Sequence, residues 1–391
     1  MCTLAQGGRL NKGTRELLVN LLAFAALGTI ADVVPLGGGD GEGDENRVIA
    51  HFGLTRVRSS PFLGLRALCE ASGLTSPKVD EWDVGFKLGP RLNAGGRMNH
   101  AKDAVELFTV AGEDRAKEIA EGLEEANKQR RSVEAAIVKQ AVEMAEREGM
   151  TGPQRRAIVL AHREWHAGVV GICCSRLVEK FCRPVLLMQL GDHDGVAQAH
   201  GSGRSIDGYS LHAGLEACGE HLAKFGGHDM AAGLRVNADR LGAFTEAFIA
   251  HANERVSDEM LIPCLDVDAV IEAGSPEMKY DMRAIRSLDK MKPFGRGNPA
   301  VKILIKGAKL AATARAFGTT RTHAELLLDL GAAGDGKFLP VTAWGMAAEV
   351  CGSDAPMPLT RSQVVDVVIE PRVETYGGEK AAGTLVDLRV V

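Results

Sequence analysis

The chain has no Cys-x-x-Cys pair. Its eight cysteines, Cys2, Cys69, Cys173, Cys174, Cys182, Cys218, Cys264 and Cys351, are scattered over 391 residues. That excludes the common structural zinc frameworks, and unframed cysteines in a chain of this size suit a reducing, cytoplasmic compartment. There is no excess of positive charge either. The formal net charge is -5, so attraction to a polyanion has to come from local patches. A bilayer span is not evident: residues 17–30, LLVNLLAFAALGTI, are only 14 residues, against about 20 for a spanning helix. They follow Arg9, Lys12 and Arg15 as the core of a signal peptide would. However, they run straight into Ala31-Asp32-Val33-Val34-Pro35 without a small-residue cleavage pattern. The expectation is a buried helix that ends in a functional loop, with no membrane partner.

What is present is ordinary for a globular protein, with 45% hydrophobic and 25% charged residues. The length allows two or three domains. Glycine stands out, with 46 residues grouped in short motifs, a sign of backbone working close to something else. Residues 17–28 read as a helix, 37–46 as a glycine-rich loop, and a helix carrying Asn46, Arg47, Ile49 and Leu54 follows. The segment GFKLGPRLNAGGRMNHA (85–101) is polar and glycine-punctuated and reads as a loop between helices.

From Glu113 to Gly149 the spacing of Ile119, Leu123, Ala126, Val133, Ile137, Ala141 and Met144 predicts one long helix. It would run roughly 55 Å as a rod joining two bodies, with Gly149 and Pro153 to stop it. Residues 155–235 alternate strand and helix, with RRAIVLA, RPVLLMQL, VAQAHGSGR and AAGLRV as strands. HAGVVGICCSRLVEKF, Tyr209–Phe225 and about 239–256 read as helices. The fold class is therefore α/β here. Beyond Pro263 short strands with turn signals, VKILIKGAKL, HAELLLDL, LPVTAWG and QVVDVVIEPRV, suggest a small β-barrel.

Five stretches could carry chemistry. Asp32, between an apolar helix and Pro35, suits a hard-cation ligand or an ordinary helix cap. Arg91, Asn93 and Arg97 in GPRLNAGGRM could wrap phosphate oxygens or be solvated loop residues. His162 and His166 are four apart but lack the His-Glu-x-x-His order; His166 fits better at the N-terminus of a helix facing an anion. In Gly201-Ser202-Gly203-Arg204-Ser205 the backbone, a hydroxyl and a guanidinium suit a phosphate. In Gly226-Gly227-His228-Asp229 the glycines expose an imidazole that could bind a phosphate oxygen or act as an acid.

Together these stretches resemble the RecJ-type single-stranded-DNA exonucleases of the DHH phosphoesterase superfamily, over nearly the whole chain. TIADVVPL resembles the fourth aspartate motif of the family and GPRLNAGGRM the motif after it. HREWHAGVVGICCSRLVEKFCRPVLLM, GSGRS and FGGHDMAAG resemble its DHHA1 domain, and Pro293-Phe294-Gly295-Arg296-Gly297-Asn298-Pro299 the start of its OB-fold domain. The resemblance implies a DHH remnant in 1–110, a connecting helix in 111–150, DHHA1 in 151–257 and an OB fold in 258–391. It implies 5′-to-3′ exonuclease action on single-stranded DNA in repair and recombination, with two Mn²⁺ or Mg²⁺ ions. Asp32 would be a metal ligand and His228 would contact the scissile phosphate. Ser202 and Arg204 would hold the 5′-phosphate. Arg91, Asn93, Arg97, Gly201, Gly203, Gly226, Gly227 and His166 would line the strand, and Lys292, Phe294 and Arg296 would guide it at the OB fold. The implied partners are a single-stranded DNA with a 5′ end and a single-strand-binding protein or helicase, and the implied state is a monomer.

The pattern also departs from the family. Its Asp-x-Asp, second-aspartate and Asp-His-His motifs do not occur in the 31 residues before Asp32. Asp192-His193-Asp194-Gly195 lies between two strands and reads as a turn. One carboxylate cannot hold two divalent ions, so the expectation is an incomplete chain with impaired activity and exposed apolar surface in 1–110. The alternatives are a non-catalytic DNA-binding module of DHHA1 and OB domains, and a phosphodiesterase for short oligonucleotides or cyclic dinucleotides.

Overall fold

Asn11 starts the first helix by accepting the Thr14 N–H at 2.8 Å. The helix, α1 (Lys12–Ala31), is longer than the apolar run that announced it. At 20 residues it is long and apolar enough, by length and composition, to cross a membrane. Only Ala23, Ala26 and Leu27 are buried along it, and Leu17 and Leu21 face solvent; the expected buried helix is buried on one narrow face. Against that face lies α2 (Asp44–Val57), where Gly53 is indispensable. A methyl group there would sit 2.2 Å from the Leu22 carbonyl oxygen. Such close approach of two helices is what glycine permits.

The computed structural model describes residues 11–38, 43–98, 101–193, 195–277, 279–334, 338–352, 358–375 and 378–391. Part of the glycine-rich loop 37–46, and Asp194, lie outside them. The chain divides into two compact units, one of Met1–Arg56 with Leu265–Val391, the other of Val57–Cys264.

The second unit opens with α3 (Leu63–Ala71) and α4 (Glu81–Asp83), a π turn over Val84–Leu88, α5 (Gly89–Met98), α6 (Lys102–Thr109) and α7 (Glu113–Arg147). The loop expected over 85–101 is therefore helical through Met98. Pro90 stands in the first turn of α5, directly after a π turn that already breaks the regular ladder, so its missing N–H costs little. Glycine disfavours helix by about 1 kcal/mol per residue; packing of α5 against α7 offsets this, with Ala94 fully buried. Exposed apolar side chains do occur in this region, among them Trp82, Phe86, Val105 and Val110.

Helix α7 has 35 residues and lies wholly inside the second unit. It packs on α3, α5 and α6 and on the helix Ala167–Phe181. Ile119, Leu123, Ala126, Ile137 and Ala141 of the predicted stripe are buried.

Next come β1 (Ile158–His162), α8 (Ala167–Phe181), β2 (Val185–His193), β3 (Val196–Arg204), α9 (Leu211–Ala217), β4 (Leu222–Gly227), β5 (Ala231–Asn237) and α10 (Leu241–Arg255). The sheet order is β1-β2-β3-β5-β4; β1 is parallel to β2, and the other pairs are antiparallel. Residues Tyr209–Phe225 were expected to be one helix. Instead α9 ends at Ala217, a single 3₁₀ turn spans Gly219–His221, and Leu222–Gly227 becomes an edge strand whose ladder to β5 no local pattern announces. Strands β2 and β3 pair antiparallel up to His193 and Val196, and Gly195, at φ 78°, donates its N–H to Asp192 Oδ1. Because strand side chains alternate, Val185 and Leu187 face α7 and α8, while Leu186 and Met188 face α9 and α10.

The first unit continues with β6 (Ala269–Glu272), α11 (Met282–Leu288), β7 (Ile303–Leu310), β8 (Arg315–Phe317), β9 (His323–Asp329), β10 (Leu339–Ala343), α12 (Ala347–Cys351), β11 (Val364–Glu374) and β12 (Lys380–Val390). Strands pair in the order β6-β7-β11-β12-β10-β9-β8, and β7 also pairs with β9. That extra pairing, through Lys309–Asp329 and Leu310–Leu328, closes β7, β11, β12, β10 and β9 into a five-stranded barrel of the OB type. Alternating Ala324, Leu326 and Leu328 with Ile303, Ile305, Val365 and Val367 fill it. All four expected strands are present.

Candidate nucleic-acid interface

The two-residue period of β3 sends His200, Ser202 and Arg204 to one face of the sheet. Register extends that row across the neighbouring strands. His200 pairs with Arg235 and Ser202 with Gly233, while Lys224 is opposite Arg235 and Gly226 opposite Gly233. The result is a strip that is cationic along one line and bare along the next. It forms a cleft of about 340 Å³ lined by Ala167, His200, Lys224, Gly226, Gly233 and Arg235, with the backbone of Gly201. A methyl on Gly226 would meet nothing within 4 Å, and one on Gly233 only the Gly201 carbonyl at 3.9 Å. These glycines leave room that no protein atom fills.

Helix α8 covers one end of the strip. A methyl on Gly171 would lie 3.3 Å from Ser202 Oγ and 3.7 Å from Arg204 Nη2, so Ser202 and Arg204, both half-buried, are close neighbours beneath it. His166 is the exposed N-cap of α8, its Nδ1 accepting the Gly168 N–H at 3.1 Å. A helix start aims N–H groups and partial positive charge outward. Arg97, at the end of α5, donates to the Gly168 carbonyl at 2.9 Å and so adds a cation beside that helix start.

Gly201 and Gly203 also meet a packing requirement. Methyl groups there would come within 2.2 Å of Met188 Cγ and 2.5 Å of Leu186 Cδ2. Both positions face the core under α9 and α10, and their small size is needed for packing. Cys174, beneath the same strand, donates its thiol to the Ser202 carbonyl; burial pushes its pKa up to about 12.

His228 sits exposed in the β4–β5 turn, its backbone N–H bonded to the Ala231 carbonyl at 2.8 Å. Gly227 has φ 145°, and a methyl there would be 2.4 Å from that same oxygen; only glycine makes this turn. The turn is pinned at two points. Asp229 accepts from Ser210 Oγ at 2.5 Å, and Met230 accepts the Ser205 N–H at 3.0 Å. His228 is thereby held at the end of β3 that carries Arg204.

Arg91 is committed elsewhere. It is 9% exposed, its Nε lies 2.5 Å from Glu124 Oε2, and Nη1 donates to the Lys87 carbonyl. Asn93 is exposed on α5.

In the first unit, Asp32 is the exposed C-cap of α1. Val33 follows at φ 55°, a left-handed conformation that a β-branched residue adopts only under constraint. The constraint is visible. Val34 N–H bonds to Thr29 O, Leu36 N–H to Arg296 O at 2.7 Å, and Asn46 Nδ2 to Pro35 O. A methyl on Gly297, at φ 75°, would lie 1.8 Å from Gly37 O. The segment Lys292–Asn298, expected to touch DNA, is thus a clamp on the loop after Asp32. Asn298 ties it by bonds to the Met291 and Pro293 carbonyls. Lys292 pairs with Asp289 at 2.9 Å, Phe294 is half-buried, and the Arg296 side chain is exposed. Among the described residues no three or more His, Cys, Asp or Glu side chains converge as a metal site.

The barrel carries an aromatic group that the sequence reading missed. His323 lies with ring centroids 4.9 Å from Trp344 and 5.6 Å from Phe317, and Trp344 is 55% exposed. The available signal was an exposed tryptophan directly after five buried strand positions. Stacking surfaces of this kind suit unpaired bases.

The DHHA1 domain family matches residues 154–254 and the RecJ OB domain family residues 271–387. The single-stranded-DNA-specific exonuclease RecJ of Bacillus subtilis (strain 168) is 37% identical over 313 residues, 80% of this chain and 38% of that protein. RecJ of Escherichia coli (strain K12) is 33% identical over 288 residues, 72% of this chain and 48% of that protein. The crystal structure of RecJ with Mn²⁺ from Thermus thermophilus superposes with a TM-score of 0.74 at 29% identity, covering 95% of this chain and 50% of that one. A Mg²⁺ complex of the same protein gives 0.74 as well. The chain therefore spans about half or less of the length of these relatives.

Proposed function

We propose that this chain, which carries a DHHA1 domain and a RecJ OB domain and is homologous to RecJ exonucleases over most of its length, binds the 5′ end of single-stranded DNA for exonucleolytic removal of nucleotides. The observation that carries the reading is the strip on the β3-β5-β4 face. There Lys224 and Arg235 stand with His200 beside a glycine-made cleft, and Ser202 and Arg204 offer a hydroxyl and a guanidinium farther along the same face of β3. Charge-assisted hydrogen bonds from a guanidinium match a phosphate in geometry and strength. On this reading Ser202 and Arg204 hold the terminal phosphate, and His228 reaches a phosphate oxygen at the scissile position. Arg97 and the start of α8 add positive field.

Two divalent ions, when bound, would activate water and stabilise charge on the phosphorus. The described residues do not form such a centre, because Asp32 is a single carboxylate and no cluster surrounds it. We therefore infer that the 391 residues bind the strand and hydrolyse it poorly, and that complete activity requires carboxylate or imidazole ligands besides Asp32.

The test is binding of the 391-residue chain to an oligothymidylate with a 5′-phosphate or a 5′-hydroxyl, together with nucleotide release in Mn²⁺. Preference for the phosphate that weakens with salt, with little release, is expected. Equal affinity for both ends would remove the phosphate site, and brisk release would show that the ligand set is larger than Asp32.

A further inference from the structure

A second cleft, of about 750 Å³, lies in the same unit between the α4–α5 segment and α7. Its rim is aromatic. Trp82 and Phe86, one helical turn apart, stack with centroids 5.3 Å apart and planes at 25°, yet they are 55% and 66% exposed. Large aromatic faces usually bury most of their area, so this pair presents a flat, wet π surface. Lys87 Nζ stands 5.3 Å from the Trp82 ring centre.

The far wall is crowded with guanidinium groups. Arg130 and Arg176 share one carboxylate, Glu134, at 2.8 and 3.3 Å; Arg176 has a second, exposed partner in Glu179. Arg131 makes no ion pair among the described residues and points to solvent. Burial, with the nearby charges of Arg131, Arg97 and Arg176, pushes the Arg130 pKa down against the pull of Glu134. Lys87 and Arg91 also have carboxylate partners, Asp83 at 2.7 Å and Glu124 at 2.5 Å, which leaves Arg131 as the lining cation without an ion pair among the described residues. Helix α5 runs from this cleft to Arg97 and the start of α8.

We propose that this cleft takes an internal stretch of the single strand whose 5′ end occupies the sheet cleft, with a base on Trp82 and Phe86 and backbone phosphates on Arg131 and Arg176. This rests on the proposed function and adds a place for the strand that neither the sheet cleft nor the barrel provides. Stacked faces flanked by cations fit a base and its phosphate, since every base has a π face and every linkage a charge.

The experiment is fluorescence anisotropy of 3′-labelled oligothymidylates on the 391-residue chain, with and without a 5′-phosphate, beside an oligomer of abasic units. Trp82→Ala/Phe86→Ala should bind thymidylate at least about fivefold more weakly, since stacking of one base is worth that much. Its affinity for the abasic strand and its ratio of phosphate to hydroxyl ends should stay as in the unaltered chain. Unchanged thymidylate affinity, or an equal loss on the abasic strand, would overturn the proposal. So would polyglutamate displacing nothing from the altered chain but competing fully with DNA on the unaltered one, which would mark an acidic-peptide groove. Arg131→Ala, at an exposed position, is the second variant: the slope of log affinity against log salt should fall by about one, and an unchanged slope would count against it. If instead the phosphate preference is missing from the unaltered chain while the aromatic effect persists, the sheet cleft fails and this cleft stands.

Discussion

Glycines in two regions of the second unit do opposite things. In α3, glycine lets one piece of protein touch another. Gly64 is the clearest case: a methyl there would sit 1.9 Å from the Leu107 carbonyl oxygen. In the sheet, Gly226 and Gly233 face open space. Glycine marks backbone in close company; only the structure tells whether the companion is protein or ligand. The same division runs through a single strand, where Cβ positions at Gly201 and Gly203 face the core while Ser202 and Arg204 lie on the other face, beside Gly171 of α8.

The sharpest way to break this comparison is to add one methyl in each region. Gly64→Ala should destabilise the chain by about 3 kcal/mol through overpacking, lowering the midpoint of urea unfolding. Gly226→Ala should leave that midpoint within about 0.5 kcal/mol. Similar losses at both sites would erase the distinction. Next in size, Ser202→Ala/Arg204→Ala should lose the preference for a 5′-phosphate, worth about 1.5–3 kcal/mol for a hydrogen bond to a charged group, with no change in unfolding. A preference that survives in titration calorimetry would place the phosphate elsewhere.

A comparable effect on stability alone is expected in the barrel. Asp366 accepts the Gly307 N–H at 2.9 Å and two bonds from Arg389, and these hold its carboxyl below the usual carboxylate range. A depressed folded-state pKa adds stability that is complete above the unfolded value near 3.9 and fades as pH falls through the folded value. Asp366→Asn should therefore cost about 1–3 kcal/mol at pH 7, and the gap from the unaltered chain should shrink below pH 4. A gap that is constant with pH would mean the charge is irrelevant. The smallest effect concerns thiols. Burial pushes Cys173 and Cys174 up to about 12, while Cys264 is exposed. Iodoacetamide at pH 8 should label Cys264 in the folded chain and the buried pair only after unfolding, as read by mass spectrometry of peptides.

Much of this was legible from residues alone. The period of Ile119, Leu123, Ala126 and Ile137 located α7, and the four strands of the barrel stood out by alternation. The antiparallel pairing of β2 with β3 followed from the turn chemistry between them. Three things were hidden, each for a physical reason. Residues 85–98 look like a loop because helix propensity is local, whereas what makes them helical is packing on α7. Leu222–Gly227 is a strand because β5 supplies its partners from the far side of a turn. The row of His200, Lys224 and Arg235 exists only through register, since its members lie on three different strands. Motif reading singled out Ser202, Arg204 and His228 and gave Gly201 and Gly203 a ligand role, but it did not show the packing need of the two glycines or the ion pair of Arg91 with Glu124.

The most direct measurement fills the cleft without touching any charge. Gly233→Val adds a side chain that suits a strand, at a position where a methyl would meet only one atom within 4 Å. Thermal unfolding and affinity for 5′-phosphorylated and 5′-hydroxyl oligothymidylate would be measured together. An unaltered melting temperature with the end preference abolished is the expected result; a preserved preference, in a chain that still folds, would contradict the assignment of the sheet cleft to the end of the strand.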